Sequence, residues 1–109
     1  MKTSNKVKVW LTCPETHAVA LRMAIGDAGI GKIGNYSHCC FVTKGKGYFM
    51  PSSKANPTIG EANKIEEVDE VVIEFLCDKD QLPLLKQVLK DNHPYEEVAL
   101  DVFPLLDFQ

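Results

Sequence analysis

The stretch VDEVVIEFLCDKDQLPLLKQVLKDN, residues 68–92, changes its hydrophobic periodicity part-way along. Apolar side chains first alternate with polar ones, which is typical of a β-strand with one buried face. That face carries Val71, Ile73, Phe75 and Cys77. Beyond Leu82 the apolar positions recur at intervals of three or four residues, as in a helix that buries one side. We therefore predict a strand over 68–77 and a helix capped by Asp80, which places Pro83 within the first turn.

A second strand–helix pair precedes this one in the chain. Residues 6–11, KVKVWL, alternate strictly between polar and apolar side chains, as in a half-buried strand. Pro14 suits the first turn of a following helix, where its missing N–H would have no partner. We predict that this helix ends at Gly29 and packs an apolar face that includes Val19 and Met23.

The remaining segments supply the other β-structure. SHCCFVT at 37–43 is predicted to be a strand, followed by a KGKG turn and a short return strand at 48–50, because glycine allows the positive φ of a tight hairpin. Residues 51–66 are polar and interrupted by proline and glycine, so we expect a functional or mobile loop there. A last strand is expected over 98–103.

These elements follow one another as strand, helix, strand, strand, helix, strand within one domain that spans residues 1–109. Two helices that each connect β-elements give an α+β, ferredoxin-like βαββαβ sandwich, here with an extra β-hairpin. Right-handed crossovers place both helices on one face of the antiparallel sheet. The opposite face stays uncovered, which favours oligomerisation.

The composition is that of an ordinary globular protein, with 45% hydrophobic and 25% charged residues. A net charge of −3 argues against a nucleic-acid-binding module, which would show a basic face. No apolar run approaches the ~20 residues that span a bilayer, and the N-terminus does not resemble a signal peptide. The four cysteines form no C-x-x-C pair, so we expect reduced thiols in a cytoplasmic protein without a membrane partner.

Residues 29–34, GIGKIG, match the G-x-G-x-x-G pattern of dinucleotide-binding loops. That loop lies after a strand and opens a helix, whose N-terminus binds the pyrophosphate. Here a predicted helix precedes the glycines and a predicted strand follows them. The reversed order favours a helix end and a tight turn rather than a nucleotide site.

Soft metal ligands are concentrated in the short run HCC. On an extended strand His38 and Cys40 would point to one side and the cysteine between them to the other, so this run offers two ligands to one site. A third would come from Cys13, His93 or Glu96, all expected near loop ends. The spacing does not indicate a closed zinc site with four ligands. The alternative interpretation is a pair of core cysteines beside a hydrogen-bonded histidine.

A nucleophilic cysteine is a second hypothesis for the same run. Cys39 or Cys40 would need a lowered pKa and a base from elsewhere in the fold, such as His93. The sequence shows neither a third group to orient the base nor a known nucleophile motif.

The run HPYEEVALDV leads from the second helix into the last strand. Tyr95 is expected to pack on the sheet. Glu96 and Glu97 are consecutive, so on an extended chain their side chains diverge, which argues against a general acid–base pair. One of these carboxylates would still be able to serve as a ligand across a subunit boundary.

Four motifs together resemble one protein family. AGIGKIGNYSHCCF at 28–41, GKGYF at 45–49, ANPTIG at 55–60 and HPYEEVALDV at 93–102 look like the small inserted domain of the YqfO-type (Nif-like) dinuclear-metal proteins. The resemblance implies a CutA/PII-like fold and a homo-oligomer, with a trimer favoured and a dimer as the alternative. The chain would be a stand-alone version of that insert. The family's dinuclear ligands lie in the halves that flank it, so its metal-enzyme activity is not expected here.

The resulting functional hypothesis is a non-enzymatic, oligomeric module with a sensing or assembly role. It would bind a divalent metal, copper or zinc, or a small ligand. The candidate metal ligands are His38, Cys40, His93 and Glu96. The candidate contacts to a small ligand are Asn35, Tyr36 and Tyr95. The alternatives are a thiol-dependent enzyme that uses Cys39 or Cys40, and a structural domain that binds a protein partner.

Overall fold

Four strands form one antiparallel sheet in the computed structural model, which describes residues 1–108. The elements are β1 (Thr3–Pro14), α1 (Ala18–Asp27), β2 (Phe41–Phe49), β3 (Glu66–Asp78), α2 (Leu82–Asn92) and β4 (Leu100–Leu106). The strand order is β2-β3-β1-β4, and a single 3-10 turn precedes each helix. This arrangement confirms the α+β, ferredoxin-like fold.

Both helices pack on one face of the sheet, where the alternating residues of the two central strands meet the apolar sides of the helices. The buried set is Val7, Val9, Leu11, Cys13, Ala18, Leu21, Ile25, Ile30, Val71, Ile73, Phe75, Cys77, Leu85, Val88 and Leu89. β1 and β3 are paired so that Val9 lies opposite Phe75 and Leu11 opposite Ile73. Burying each large aliphatic side chain of this kind contributes about 1.5–3 kcal/mol to stability. The periodicity of both central strands is therefore confirmed.

The first helix begins later than predicted. Pro14 still belongs to β1, and the 3-10 turn Glu15–His17 separates it from α1. This turn sets which side of the helix faces the sheet, and it leaves Val19 and Met23 exposed rather than in the core. The prediction that these two side chains are buried was wrong.

The second helix also starts through a 3-10 turn, which changes its capping. Asp78 and Gln81 form the capping box, with the Asp78 N–H donating to Gln81 Oε1 at 3.1 Å. The 3-10 turn takes up three residues before α2, so Pro83 still falls in the first α-helical turn. The N-cap predicted at Asp80 was wrong, because the residues between the box and the proline are not α-helical.

The hairpin predicted around KGKG does not form, because β2 is one uninterrupted strand. It pairs with β3 from Phe41 opposite Glu74 to Phe49 opposite Glu66. β3 is 13 residues long and provides a partner for the whole of β2. Gly45 and Gly47 therefore lie inside a strand. The chain passes from β2 to β3 through the long segment of residues 50–65.

Residues 37–40 precede β2 and are not part of a strand, contrary to the prediction for 37–43. His38 has a φ of +58°, which an extended strand does not allow. The Cys39 N–H donates to the Gly31 carbonyl at 2.8 Å and folds the segment back on the end of α1. The side chains of this run consequently do not alternate between two faces of the sheet.

The sheet face away from the helices, termed the open face, includes Trp10 of β1, Glu74 of β3 and Phe41 of β2 in one cross-strand row. Phe103 of β4 lies beside this row, opposite Lys8. β2 contributes no residue to the buried core, and the molecule measures 48 × 26 × 24 Å. No helix in residues 1–108 is long and apolar enough to cross a membrane.

Candidate functional site

A cleft of about 450 Å³ lies at one end of the open face. Its floor is the sheet, where Phe49, Glu70 and Thr12 contribute from three neighbouring strands. The segment 50–59 and residues 95–99 form its walls. The volume is in the range of sites that bind small molecules. We call it the Glu70 cleft.

The wall formed by the long β2–β3 connection is held in place by hydrogen bonds to the segment after α2. The Asn56 N–H donates to Glu96 Oε1 at 2.9 Å, and the Thr58 hydroxyl donates to the Pro94 carbonyl. Within the connection, the Asn63 N–H donates to the Pro51 carbonyl at 2.6 Å. Glu96 therefore positions the loop with one of its carboxylate oxygens.

His93 lies buried behind the cleft, and both of its ring nitrogens are occupied. Nε2 lies 2.7 Å from the Thr12 carbonyl, so it must carry the proton and donate. Nδ1 accepts the Tyr95 N–H at 3.1 Å. This pair of bonds defines a neutral imidazole. Burial lowers its pKa below the ordinary 6.5, against the opposing influence of the Thr12 carbonyl and of Glu70.

Tyr95 closes the cleft above His93. Its ring packs edge-on against Phe49, with centroids 5.7 Å apart, and lies 5.4 Å from the His93 ring. Its hydroxyl is buried and interacts with the Glu70 carboxylate, although the contact does not have ideal hydrogen-bond geometry. Burial, with the nearby Glu70 carboxylate, raises its pKa well above the usual range, so the hydroxyl keeps its proton.

Glu70 is the acidic group at the centre of this arrangement. Its residue is only 8% exposed although it lies on the open face, because Tyr95 and the β2–β3 connection cover that end of the sheet. Its side chain occupies the space above Gly47, where an added Cβ would lie 1.6 Å from Oε1. Together with burial, which is the larger influence, the carboxylate raises the pKa of Cys13 to about 11.

The other predicted ligands lie in a different part of the molecule. The His38 ring lies against Gly26 of α1, Nε2 is 2.9 Å from Asp27 Oδ1, and Nδ1 is 2.8 Å from Ser37 Oγ. Cys39 and Cys40 line a cavity of only about 10 Å³ beside it. This segment is a folded turn at the end of α1 rather than a wall of the Glu70 cleft.

The predicted residues thus fall into two groups. Tyr95 and Glu96 line the Glu70 cleft with His93 directly behind Tyr95. His38 and Cys40 belong to the turn after α1. Asn35 and Tyr36 lie at its exposed tip, where Tyr36 and Ile33 exchange backbone hydrogen bonds. Among the residues described, no three His, Cys, Asp or Glu side chains come close enough together to hold a metal ion.

The sequence analysis did not identify Glu70, Phe49 or the cleft-lining side of the β2–β3 connection. Glu70 occupies the same polar-face position in the strand pattern as Glu74, and nothing local distinguishes the two. The difference arises because Tyr95, which is distant in sequence, and the β2–β3 connection surround Glu70, whereas Glu74 lies outside the cleft.

All four cysteines are free thiols. Cys13 and Cys77 are buried, and burial raises the pKa of both. Cys39 is half-buried and Cys40 exposed, and neither thiol is hydrogen-bonded to a histidine within residues 1–108. This geometry lacks the nucleophile–base contact that a thiol enzyme needs.

Comparison with known proteins agrees with the fold and the motifs. The chain is 41% identical over 103 residues to a protein of Halalkalibacterium halodurans named GTP cyclohydrolase 1 type 2 homolog, covering 94% of this chain and 28% of that protein. A Bacillus cereus protein related to NIF3 superposes with a TM-score of 0.80 at 40% identity, covering 98% of this chain and 27% of that one. This chain is a CutA-like domain of the YqfO/NIF3 family.

The domain spans only about a quarter of the length of those relatives. Its likeness to CutA extends over whole chains: the periplasmic divalent cation tolerance protein CutA from Archaeoglobus fulgidus matches with a TM-score of 0.69, covering 95% of this domain and 87% of that protein. At 14% identity this likeness shows a shared fold. No family model matches the sequence.

Proposed function

We propose that this YqfO/NIF3-type domain is a non-enzymatic, self-associating module that binds a small ligand in the Glu70 cleft and has a sensing or assembly role. The observation that carries the proposal is the cleft itself. A volume of about 450 Å³ is lined mainly by apolar side chains and contains a buried polar pair, the Glu70 carboxylate and the Tyr95 hydroxyl, with no cationic side chain among the described residues of its lining.

The same geometry favours a small ligand over the divalent metal that we predicted. His93 already uses both ring nitrogens, and one oxygen of Glu96 accepts a backbone N–H. His38 is engaged by Asp27 and Ser37. A copper or zinc site built from His38, Cys40, His93 and Glu96 would have to break these bonds and draw its ligands from more than one chain. Elemental analysis of untagged protein, with and without added copper or zinc, tests this alternative.

Self-association through the open face is the second part of the proposal. Phe41 is 69% exposed and Phe103 47% exposed on this face, and Trp10 lies between them only half-buried. Exposed aromatic side chains on an uncovered sheet face mark contact surfaces rather than ordinary solvent-facing sheet. The family resemblance makes a trimer the preferred state and a dimer the alternative.

Two measurements test the proposed function. A ligand screen by ¹H–¹⁵N correlation spectroscopy should give hits that shift the backbone resonances of Gly47, Glu70 and Tyr95, and a screen whose hits all map elsewhere would refute the cleft as the site. Light scattering should give a mass that is a multiple of the 12.1 kDa chain. Phe41→Asp should reduce that mass, whereas Val19→Asp, on the exposed side of α1, should not.

A further inference from the structure

The Glu70 cleft carries charge of one sign only. Three carboxylates line it, from Glu70, Glu96 and Glu97, and its lining includes no lysine, arginine or histidine. Glu96 is partly engaged through the Asn56 N–H. Glu70 lies deepest, at 8% exposure, and its carboxylate interacts with the Tyr95 hydroxyl but takes part in no ion pair within residues 1–108.

An unpaired buried carboxylate is costly, because burial removes its hydration without supplying a counter-charge. Most buried polar groups have partners, and exceptions mark sites where something else binds. The Tyr95 hydroxyl beside Glu70 directs its proton at that carboxylate and has no other partner within residues 1–108. Its oxygen retains lone pairs that are able to accept a hydrogen bond. A donor with positive charge would satisfy both groups at once.

The walls of the cleft indicate the rest of the ligand. Phe49, Met50, Pro57 and Ile59 present apolar surface, and the rings of Phe49 and Tyr95 lie edge to face. Aromatic faces attract cations, and apolar walls take up a hydrocarbon body. Neither feature suits a strongly hydrated anion such as a phosphate.

We propose that the Glu70 cleft binds a small organic amine in its protonated form. The ammonium group donates hydrogen bonds to the Glu70 carboxylate and the Tyr95 hydroxyl, and the hydrocarbon part packs against Phe49 and the β2–β3 connection. This inference rests on the proposed function and adds the chemical class of the ligand.

The test compares three probes that share a phenyl group and differ in charge. Phenethylamine, 2-phenylethanol and 3-phenylpropanoate are titrated into the labelled protein at pH 7.5, and resonance shifts in the cleft give the three dissociation constants. A hydrogen bond to a charged group corresponds to roughly a tenfold to hundredfold preference, so the amine should bind at least about tenfold more tightly than the alcohol. The carboxylate should bind most weakly.

Two variants assign this preference to Glu70. Glu70→Gln retains the shape of the side chain and removes its charge, so it should abolish the preference for the amine. Gly47→Ala keeps Glu70 but places a methyl group where its carboxylate lies, and it should have the same effect. Glu74→Gln is the matched control: it lies on the same strand and face, outside the cleft, and should leave the preference intact.

The possible outcomes separate the two proposals. Binding of the alcohol or the carboxylate in the cleft as tightly as the amine would overturn the amine assignment and leave the cleft as a ligand site. The amine assignment is likewise overturned if Glu70→Gln, with native resonance dispersion, keeps the full preference. Absence of cleft shifts with all three probes and throughout the ligand screen would overturn both proposals.

Discussion

Lowering the pH from 7.5 to 5.5 should destabilise this domain through one buried side chain, His93. Its imidazole is neutral in the folded chain, because Nε2 donates to the Thr12 carbonyl and Nδ1 accepts from the Tyr95 N–H. A second proton on Nδ1 would break the bond from Tyr95. Burial also opposes the charged form and lowers the pKa below its ordinary 6.5, with a smaller contribution in the same direction from His17 and opposing ones from Thr12 and Glu70.

The sign follows from proton binding. Between pH 6.5 and the lowered pKa of the folded state, the unfolded chain protonates His93 more than the folded chain does, so the unfolded state binds more protons and gains stability as the pH falls. One group changes the free energy of unfolding by at most about 1.4 kcal/mol per pH unit. We therefore expect His93 to account for a loss of up to about 1 kcal/mol between pH 6.5 and 5.5, and for no change above pH 7.5.

Urea unfolding at a series of pH values measures this loss. The variant His93→Gln cannot titrate, so its free energy of unfolding should be lower than that of the natural chain at pH 7.5 but nearly flat between pH 6.5 and 5.5. His17→Gln replaces an exposed histidine and is the matched control, which should keep the decline. An unchanged decline in His93→Gln would refute the assignment of a neutral, doubly bonded imidazole.

Three further predictions concern stability and thiol chemistry. Gly31→Ala should lower the free energy of unfolding in urea by about 1 kcal/mol or more beyond the loss in Gly29→Ala. Both glycines have positive φ (+83° and +88°), but only at Gly31 would an added Cβ meet a backbone oxygen, that of Cys39 at 2.8 Å. Gln81→Ala should lower stability by about 1–2 kcal/mol, because the Gln81 amide accepts the Asp78 N–H before α2 and donates to the Gly29 carbonyl after α1. Gln81→Glu keeps only the acceptor and should lose part of that stability. Alkylation at pH 7.5 should modify at most two thiols in the folded chain and four in urea, because Cys13 and Cys77 are buried. A pKa of about 11 also leaves only about one Cys13 thiol in 3,000 ionised at that pH. Rapid labelling of Cys13 or Cys77 would contradict this prediction.

The parts of the fold that the sequence predicted correctly are those where side-chain periodicity and burial agree. β3 alternates through Ile73, Phe75 and Cys77, and α2 repeats Leu85 and Leu89 at helical spacing, so each needed only its own residues to be recognised. The placement of both helices on one face of the sheet then followed from the general rules for crossover connections. These features depend on the spacing of apolar residues within one element and on the way most proteins connect strands and helices.

The errors arose where a distant partner decides the local structure. Gly45 and Gly47 have the composition of a turn, yet they lie in a strand because β3 is long enough to pair with all of β2. His38 lies in a run with strand composition, yet it has a positive φ, and the hydrogen bond from the Cys39 N–H to the Gly31 carbonyl bends this segment out of the sheet. Local residue preferences alone do not contain this information.

The candidate site, like the fold, was predicted only in part. The HPYEEV run drew attention to Tyr95 and Glu96, which do line the Glu70 cleft. The metal hypothesis placed His38 and His93 near one another at loop ends. Within a single chain they belong to two separate groups, so their meeting across an interface between chains stays a prediction. Glu70 was missed because its burial depends on Tyr95 and on the β2–β3 connection rather than on its own strand.

The uncovered outer strand also affects how a single chain moves through solution. With extents of 48 × 26 × 24 Å the radius of gyration is 15.1 Å, whereas a compact domain of this length has about 13 Å. A monomer of this shape experiences more friction than a sphere of equal mass and leaves a gel-filtration column earlier than a compact monomer, though later than a compact dimer, whose radius of gyration would be about 17 Å. Elution volume therefore overstates its mass, and sedimentation velocity, which reports friction and mass together, separates an elongated single chain from a compact assembly.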